Sequence, residues 1–170
     1  TAYTYFMQKQ YTKSTEWFNQ YVAKEKENTV LLTDAYNRIG DGFYQARNFT
    51  KALDAYGYSI AKGGTVAGVD YAIYQTAFVY GLQGKYADKI TTLEDLIKKF
   101  PKSYWADDAY YEIGSSYVAL NNNAQAITTF KNICSKYPKN SDIVRMSRAQ
   151  LAMLQYNEGL IDESIASHKL

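Results

Sequence analysis

Small and apolar residues recur along the chain at steps of three and four. Between residues 86 and 97, for example, steps of three, four and four connect Tyr86, Lys89, Leu93 and Ile97. Such steps place side chains on one face of an α-helix, because the helix has 3.6 residues per turn. The pattern therefore predicts amphipathic helices throughout the chain.

The helical pattern itself repeats about every 37 residues. Pro101 and Pro138 lie 37 apart, and a shift of that size aligns DYAIYQTAFVYGLQGKYADKITTLEDLIKKFP (70–101) with DDAYYEIGSSYVALNNNAQAITTFKNICSKYP (107–138). Residues 33–64 align one step earlier, with Gly64 in the place of the proline. A period of this length predicts stacked helical hairpins.

Residue size is also repeated at fixed places in each hairpin. The first helix carries a small residue at Ala2, Gly40, Ala77, Gly114 and Ala152, and three residues later Tyr5, Phe43, Tyr80, Tyr117 and Gln155. The second helix begins near Tyr11, Phe49, Tyr86, Asn123 and Ile161, continues with Ser14, Ala52, Lys89, Ala126 and Ser164, and then with Phe18, Tyr56, Leu93, Phe130 and His168. Small residues permit two helix backbones to approach closely, so these slots predict the helix contacts.

The segments between hairpins contain helix stop and start signals. In KKFPKSYW (98–105) we expect Pro101 to end one helix and Ser103 to cap the next, with Asp107 and Asp108 in its early turns. Residues 135–142 repeat this arrangement, and glycines serve the same purpose in residues 61–70.

The order of small, aromatic, small and aromatic residues before a closing proline resembles the tetratricopeptide repeat (TPR). Gly114, Tyr117, Ala126, Phe130 and Pro138 stand in that family's places. The usual early tryptophan is absent, the period is 37 to 38 instead of 34, and a lysine occupies one small slot. The resemblance implies an all-α fold, a right-handed α-solenoid of antiparallel helix hairpins with about four to five repeats and incomplete ends.

This alignment divides the chain into repeats of one solenoid segment, without separate domains. The predicted repeats are 1–28 (partial), 29–66, 67–102, 103–139 and 140–170 (partial). Solenoids usually end in polar caps, and neither end has one. We therefore expect a segment of a longer protein, with exposed ends that are open to artificial self-association.

Composition excludes several classes of function. The chain has 170 residues, is 46% hydrophobic and carries a net charge of +2, so it predicts a folded protein and no nucleic-acid footprint. Its most apolar run, residues 71–82, is too short and polar to insert into a membrane. The single cysteine cannot form an internal disulfide.

The candidate catalytic residues are better interpreted as packing residues. Cys134 and His168 could form a nucleophile and base pair, but both occupy slots that are apolar in the other repeats. One histidine and one cysteine do not make a zinc site. We expect no enzyme activity, no cofactor and no metal.

The resemblance implies a concave groove lined by the first helices. The corresponding positions are Asp34, Asn37, Asp41, Tyr44, Tyr71, Tyr74, Phe78, Asp108, Tyr111, Ser115, Met146, Met153 and Tyr156. This stripe is aromatic and mildly acidic, which disfavours a terminal carboxylate as ligand. Tyrosines suit a polypeptide, so we expect a scaffold or adaptor that binds a peptide or helix around Tyr74, Phe78 and Tyr111.

Two other functional classes remain open from the sequence. The chain could be a structural spacer in a larger scaffold without a ligand of its own, and an enzyme or carbohydrate-binding unit is a more distant third. Its repeat junctions resemble those of bacterial TPR proteins of the cell envelope, which implies a periplasmic location, with the cytoplasm as the alternative.

Overall fold

The computed structural model describes residues 1–138 and 141–168, and in these ranges the regular structure is entirely α-helical. The helices are α1 (Ala2–Met7), α2 (Tyr11–Lys24), α3 (Thr29–Gln45), α4 (Phe49–Gly63), α5 (Val69–Leu82), α6 (Tyr86–Lys99), α7 (Ala106–Ala119), α8 (Asn123–Lys136), α9 (Asp142–Asn157) and α10 (Ile161–His168). The predicted all-α fold is confirmed.

The helices form two compact units, Thr1–Gln83 with α1 to α5 and Gly84–Leu170 with α6 to α10. Within each unit every helix packs on the next one along the chain. The first helices α3 and α5 also touch each other in unit 1, as α7 and α9 do in unit 2. This neighbour-to-neighbour packing of successive hairpins is the α-solenoid arrangement that the sequence predicts.

At two of the five predicted small slots of the first helices, Gly40 and Gly114, an aromatic ring lies against the helix backbone. A Cβ atom added at Gly114 would lie 2.7 Å from the Phe130 ring, and one added at Gly40 would overlap the Tyr56 ring. Phe130 and Tyr56 are both fully buried. Glycine is therefore required in the first helix because the ring from the second helix occupies the space of a side chain.

Serine performs a different task in the second small slot of the outer hairpins. The Ser14 hydroxyl donates to the carbonyl of Ala2 at 3.1 Å, and the Ser164 hydroxyl donates to that of Ala152 at 2.8 Å. The two bonds join equivalent residues, since Ala2 and Ala152 occupy the same slot. They tie the second helix of each hairpin to the first.

Lys89, which departs from the pattern of small residues in this slot, forms an ion pair with Glu112 of α7. Lys89 is itself buried, with 8% of its surface exposed. A buried ammonium group needs such a partner, because its desolvation is otherwise costly. The pair thus explains how a long charged residue is accommodated between α6 and α7.

Every hairpin turn places one residue in the left-handed region of backbone space, at the same position of the repeat. These residues are Lys9 (φ 58), Arg47 (φ 56), Gly84 (φ 71), Asn121 (φ 55) and Gly159 (φ 77). Glycine and asparagine adopt this conformation readily, whereas lysine and arginine do so at a cost. The recurrence of the turn confirms the repeat register independently of side-chain packing.

The predicted cap of α7 is wrong in detail. The helix begins at Ala106 with Trp105 as its N-cap, and Ser103 accepts a hydrogen bond from the Trp105 N–H inside the preceding turn. Two successive turns, closed by the N–H groups of Ser103 and Ala106, occupy the residues that we expected to be helical. Asp107 and Asp108 do lie in the first turn of α7. At the next junction Lys139 and Asn140, where we placed the boundary of repeats four and five, lie outside the described residues.

Gly114→Ala tests the contact between glycine and aromatic ring. We expect a loss of about 1–3 kcal/mol in the free energy of unfolding, because the new methyl group overlaps the Phe130 ring. Gly57→Ala is the matched control, since a Cβ there meets nothing within 4 Å. It should stabilise the protein by about 0.5–1 kcal/mol through its better helix propensity. Urea denaturation measures both, and equal effects would contradict the packing.

Lys9→Gly tests the left-handed turn. Glycine removes the clash of the lysine Cβ, so we expect a gain of up to about 1 kcal/mol in the free energy of unfolding. The control, Gln20→Gly in the middle of α2, should cost about 1 kcal/mol because its backbone is helical. A destabilising Lys9→Gly in thermal denaturation would argue against the left-handed backbone.

Candidate functional site

The predicted groove residues lie on first helices in both units. Unit 1 carries Asp34, Asn37, Asp41 and Tyr44 on α3, with Tyr71, Tyr74 and Phe78 on α5. Unit 2 carries Asp108, Tyr111 and Ser115 on α7, with Met146, Met153 and Tyr156 on α9. Because α3 contacts α5 and α7 contacts α9, each unit brings its own set together.

Two of the predicted positions on α3 face the neighbouring helices instead of an open surface. Asn37 is 2% exposed and its Nδ2 donates to the carbonyl of Gly68 at 2.8 Å. Asp41 is 7% exposed, and its Oδ1 accepts from the hydroxyls of Tyr56 (2.8 Å) and Tyr71 (2.7 Å). These side chains fasten α3 to α4 and α5, which differs from the open groove that we expected at these positions.

Arg38 completes a polar network that the sequence interpretation missed. Its Nη1 lies 2.5 Å from Oδ2 of Asp41, and its guanidinium lies 5.2 Å from the ring centres of both Phe6 and Tyr71. Its Nε is 3.7 Å from Asp34. The signal was present in the sequence, since arginine at i+4 from Asp34 and i−3 from Asp41 has the spacing of helical ion pairs.

The two tyrosine hydroxyls of the network stay protonated near neutral pH, because their pKa values are raised. Burial raises the pKa of the Tyr56 and Tyr71 hydroxyls, and the adjacent Asp41 carboxylate raises it further. Both tyrosines therefore remain hydrogen-bond donors to Asp41. Burial also raises the pKa of Asp34, against the opposing effect of Arg38.

Unit 1 carries an aromatic corner, by which we mean Tyr44, Phe49 and Phe78, and of these three only Phe78 is exposed, whereas Tyr44 and Phe49 are half-buried. The Tyr44 ring centre lies 6.2 Å from that of Phe49 and 6.1 Å from that of Phe78. Phe78 is 38% exposed, whereas Tyr71 and Tyr74 are half-buried. Beside the corner is a cavity of about 240 Å³, lined by Tyr44, Gln45, Arg47, Phe49 and Leu82.

In unit 2 the α7 positions are less accessible than those of α9. Tyr111 is half-buried against the Phe130 ring at 5.6 Å and Ser115 is half-buried, while Asp108 is exposed. Partial burial is the main reason that the pKa of Asp108 is raised, and the negative charges of Asp107 and Glu112 raise it further. On α9 the exposed fractions are 47% for Met146, 47% for Met153 and 64% for Tyr156.

The candidate catalytic pair is not supported by its surroundings. Cys134 is half-buried in the core of unit 2, as predicted, and burial raises the pKa of its thiol, so that the reactive thiolate is depleted at neutral pH. The packing role predicted for His168 is wrong, because its side chain at the end of α10 is exposed. Among residues 1–138 and 141–168 no group of three or more metal-ligating side chains comes together. No helix in this part of the chain is both long and apolar enough to span a bilayer.

The successive hairpins and the recurring turns between their helices define a helical-repeat protein. The family model of the tetratricopeptide repeat matches residues 71–103 and 108–140. These two stretches, which include most of α5 and α7 and all of α6 and α8, are therefore similar to the tetratricopeptide repeat. A comparison with curated proteins found no match.

Solved structures of repeat proteins share the fold along almost the whole chain. MamA has a TM-score of 0.79 at 14% identity, covering 99% of this chain and 91% of its own. BtubC from P. vanneervenii has a TM-score of 0.78 at 13% identity, covering 98% of this chain and 73% of its own. A protein with nearly identical TPR-like repeats from Podosopora anserina has a TM-score of 0.74 at 13% identity, covering 99% of this chain and 88% of its own. At these identities the likeness concerns the fold alone.

The matched repeat is associated with a general class of function. Tetratricopeptide repeats generally mediate protein–protein interaction, and proteins built from them are typically scaffolds without enzyme activity. The exposed aromatic corner is compatible with that class.

Tyr71→Phe tests the buried network around Asp41. The change removes one hydroxyl donor from a buried carboxylate, so we expect a loss of about 1–3 kcal/mol in the free energy of unfolding. The matched control is Tyr156→Phe, whose hydroxyl lies on an exposed side chain and whose effect should stay within about 0.5 kcal/mol. Equal urea midpoints for the two variants would contradict a stabilising role of the Tyr71 hydroxyl.

Proposed function

We propose that this protein is an interaction scaffold that binds a peptide or helix of a partner protein on its first helices. The observation that carries the proposal is the aromatic corner, where Phe78 and Tyr44 from two neighbouring first helices meet with Phe78 exposed. Exposed aromatic residues of this kind contribute large contact area at a low cost in conformational entropy. Tyr74 is a further contact residue of unit 1 in this proposal, and Asp108, Tyr111 and Ser115 are a separate set of candidate contact residues in unit 2.

The size of the adjoining cavity favours a polypeptide ligand over a small molecule. Its volume of about 240 Å³ is below the roughly 300–1,000 Å³ that is usual for small-molecule sites. One large side chain of a peptide would fill it, packed against Phe49 and Leu82. Leu82 is 52% exposed, so covering it would add to the apolar area removed from water.

The charged groups near the corner favour a ligand that has both apolar and polar side chains. Arg47, in the turn that follows α3, lines the cavity. Asp34 and Asp41 on α3 already form ion pairs with Arg38. A ligand segment with an aromatic or aliphatic anchor and a polar flank fits these surroundings. The anchor would supply most of the affinity, as buried apolar side chains do at protein interfaces.

Phe78→Ala tests the proposal in the whole protein. Tagged protein and its Phe78→Ala variant are used to capture partners from a lysate of the source organism, with detection by mass spectrometry. We expect a specific partner to bind at least about tenfold less to the variant, because the loss of such an anchor typically costs about 2 kcal/mol of binding free energy. A photo-crosslinking amino acid at Leu82 should then join to the same partner.

Tyr104→Ala provides the matched control, because Tyr104 is an aromatic residue of unit 2 that is 84% exposed in the turn before α7 and is not among the predicted contact residues. Its partners should equal those of the unchanged protein. Equal capture by all three proteins, with no crosslink at Leu82, would favour the alternative of a spacer without its own ligand.

The compartment follows only from the resemblance of the repeat junctions. We propose the cell envelope, where bacterial proteins of this type organise complexes, with the cytoplasm as the alternative. Fractionation of the source organism with an antibody against the protein distinguishes the two.

A further inference from the structure

Exposed cations recur at the same two positions of the first two hairpins. Lys9 and Arg47 hold the left-handed position of their turns, and Lys13 and Lys51 follow four residues later in the first turns of α2 and α4. We call these four residues the basic edge of unit 1. The other three turns carry no cation at the two positions, which are occupied by Gly84, Asp88, Asn121, Gln125, Gly159 and Glu163.

The basic edge is open because of the repeat itself and not because of where the chain begins. Arg47 and Lys51 are exposed although their hairpin, α3 with α4, packs on α2 on one side and on α5 on the other. Lys9 and Lys13 hold the equivalent positions of the preceding hairpin. Their exposure therefore follows from their place in the turn.

The cations of the basic edge are not paired with carboxylates. None of the four forms an ion pair with an acidic side chain that the structure describes. Two of them lie over aromatic rings instead: Nζ of Lys13 is 5.5 Å from the ring centre of Tyr5, and Nζ of Lys51 is 5.4 Å from that of Phe43. These contacts leave the ammonium groups accessible to a ligand.

The acidic groups near the basic edge are fewer than its cations. Glu16 and Asp54 lie one turn further along α2 and α4. Asp41 of α3 already forms an ion pair with Arg38. Residues 1–8, 42–46 and 78–84, which belong to the flanking helices and turns, contain no charged side chain. The edge therefore keeps an excess of positive charge.

A cleft of about 580 Å³ lies between the first two turns. Lys9 and Lys13 line one side of it, and Ala46 of the next turn lines the other. The half-buried rings of Tyr11 and Phe43 supply an apolar wall. The cleft can thus take an apolar side chain of a ligand between the cations of the two turns.

Lys9 and Arg47 occupy their positions at a cost in stability. The left-handed region disfavours residues with a Cβ atom, and Gly84 and Gly159 stand at the equivalent positions of two other turns. Side chains held in such a conformation are often found at functional sites, where they serve a purpose other than folding. The charge of Lys9 and Arg47 is such a purpose here.

We propose that the basic edge and its cleft bind an acidic segment of a partner protein. The cations extend over two repeats and past the cleft, so a small anion in the cleft would leave Arg47 and Lys51 without a partner. An extended chain with several carboxylates can reach all four. Glu16 also lines the cleft and disfavours a ligand of uniform negative charge, such as a nucleic acid.

This inference goes beyond the proposed function, because it concerns a different surface. The cleft lies between α2 and α3, whereas the aromatic corner is formed by residues of α3, α4 and α5. Opposite charges at an exposed edge contribute mainly to the rate of association and to the choice of partner.

Fluorescence anisotropy with a labelled peptide tests the proposal. The probe is a peptide of about eight residues, with glutamates around one central phenylalanine, which spans about 25 Å when extended. The same peptide with glutamine in place of glutamate is the neutral probe. We expect the unchanged protein to bind the acidic peptide at least about tenfold more tightly at low salt, and the difference to shrink as salt screens the charges.

Lys9→Gly with Arg47→Gly separates binding from folding. Removal of two cations should weaken binding of the acidic peptide at least about fivefold. The melting temperature should stay the same or rise, because glycine relieves the left-handed backbone. Weaker binding by this variant therefore does not arise from unfolding.

Lys13→Gln with Lys51→Gln should weaken binding by a similar factor. The matched control is Lys24→Gln with Lys62→Gln, which removes the same charge from exposed lysines in the last turns of the same two helices. We expect the control to bind the acidic peptide like the unchanged protein.

Three results would overturn the proposal: no binding of the acidic peptide, equal binding of the acidic and neutral peptides, or an equal loss of binding in the control and in the variants of the basic edge. Tighter binding of single-stranded oligothymidylate or of phosphatidylserine vesicles than of the acidic peptide would also overturn it, in favour of a nucleic acid or a membrane surface. Phe78→Ala should bind the acidic peptide like the unchanged protein, so this test and that of the proposed function fail independently.

Discussion

The structure depends on the contact of an aromatic ring with a glycine of the preceding helix. Tyr56 lies on Gly40 and Phe130 lies on Gly114, and each ring is completely removed from water. This contact sets how closely the two helices of a hairpin approach, because the ring occupies the volume of the missing side chain. Close approach in turn fixes which positions of the first helix remain outside the core, and so where a partner could bind.

The same first-helix positions serve opposite purposes in different repeats. In unit 1 Asn37 forms a hydrogen bond with Gly68 and Asp41 accepts one from Tyr71 of α5. Arg38 balances the charge of the buried Asp41 carboxylate. At the position of α9 that is equivalent to Asp41, Met153 stays exposed. The ion pair of Arg38 and Asp41 lies within α3, so the joining of α3 to α4 and α5 rests on the hydrogen bonds of Asp41 to the tyrosine hydroxyls. The first-helix surface is therefore a property of each repeat and not of the family pattern.

The extent to which the candidate site could be predicted follows from what each residue contacts. Phe78 and Tyr156, which were expected in the groove from the resemblance to the repeat family, are exposed. Asn37 and Asp41 were expected in an open groove, yet their polar atoms bond with Gly68 and Tyr71, which are about 30 residues away in the chain. Arg38 was overlooked for the same reason, since a charged residue beside two carboxylates has the same spacing whether it is buried or solvated.

Taken by itself, the sequence determined the helices, the hairpin period and the glycine contacts. These rest on spacing, residue size and turn chemistry, which are local and repeat five times along the chain, so that errors in one repeat are corrected by the others. Only the tertiary structure decided that Ser103 lies inside a turn, that Lys89 is buried with Glu112 and that His168 is exposed. The physical reason is that polar side chains choose between water and a distant partner, and that choice depends on geometry between helices that no local pattern records.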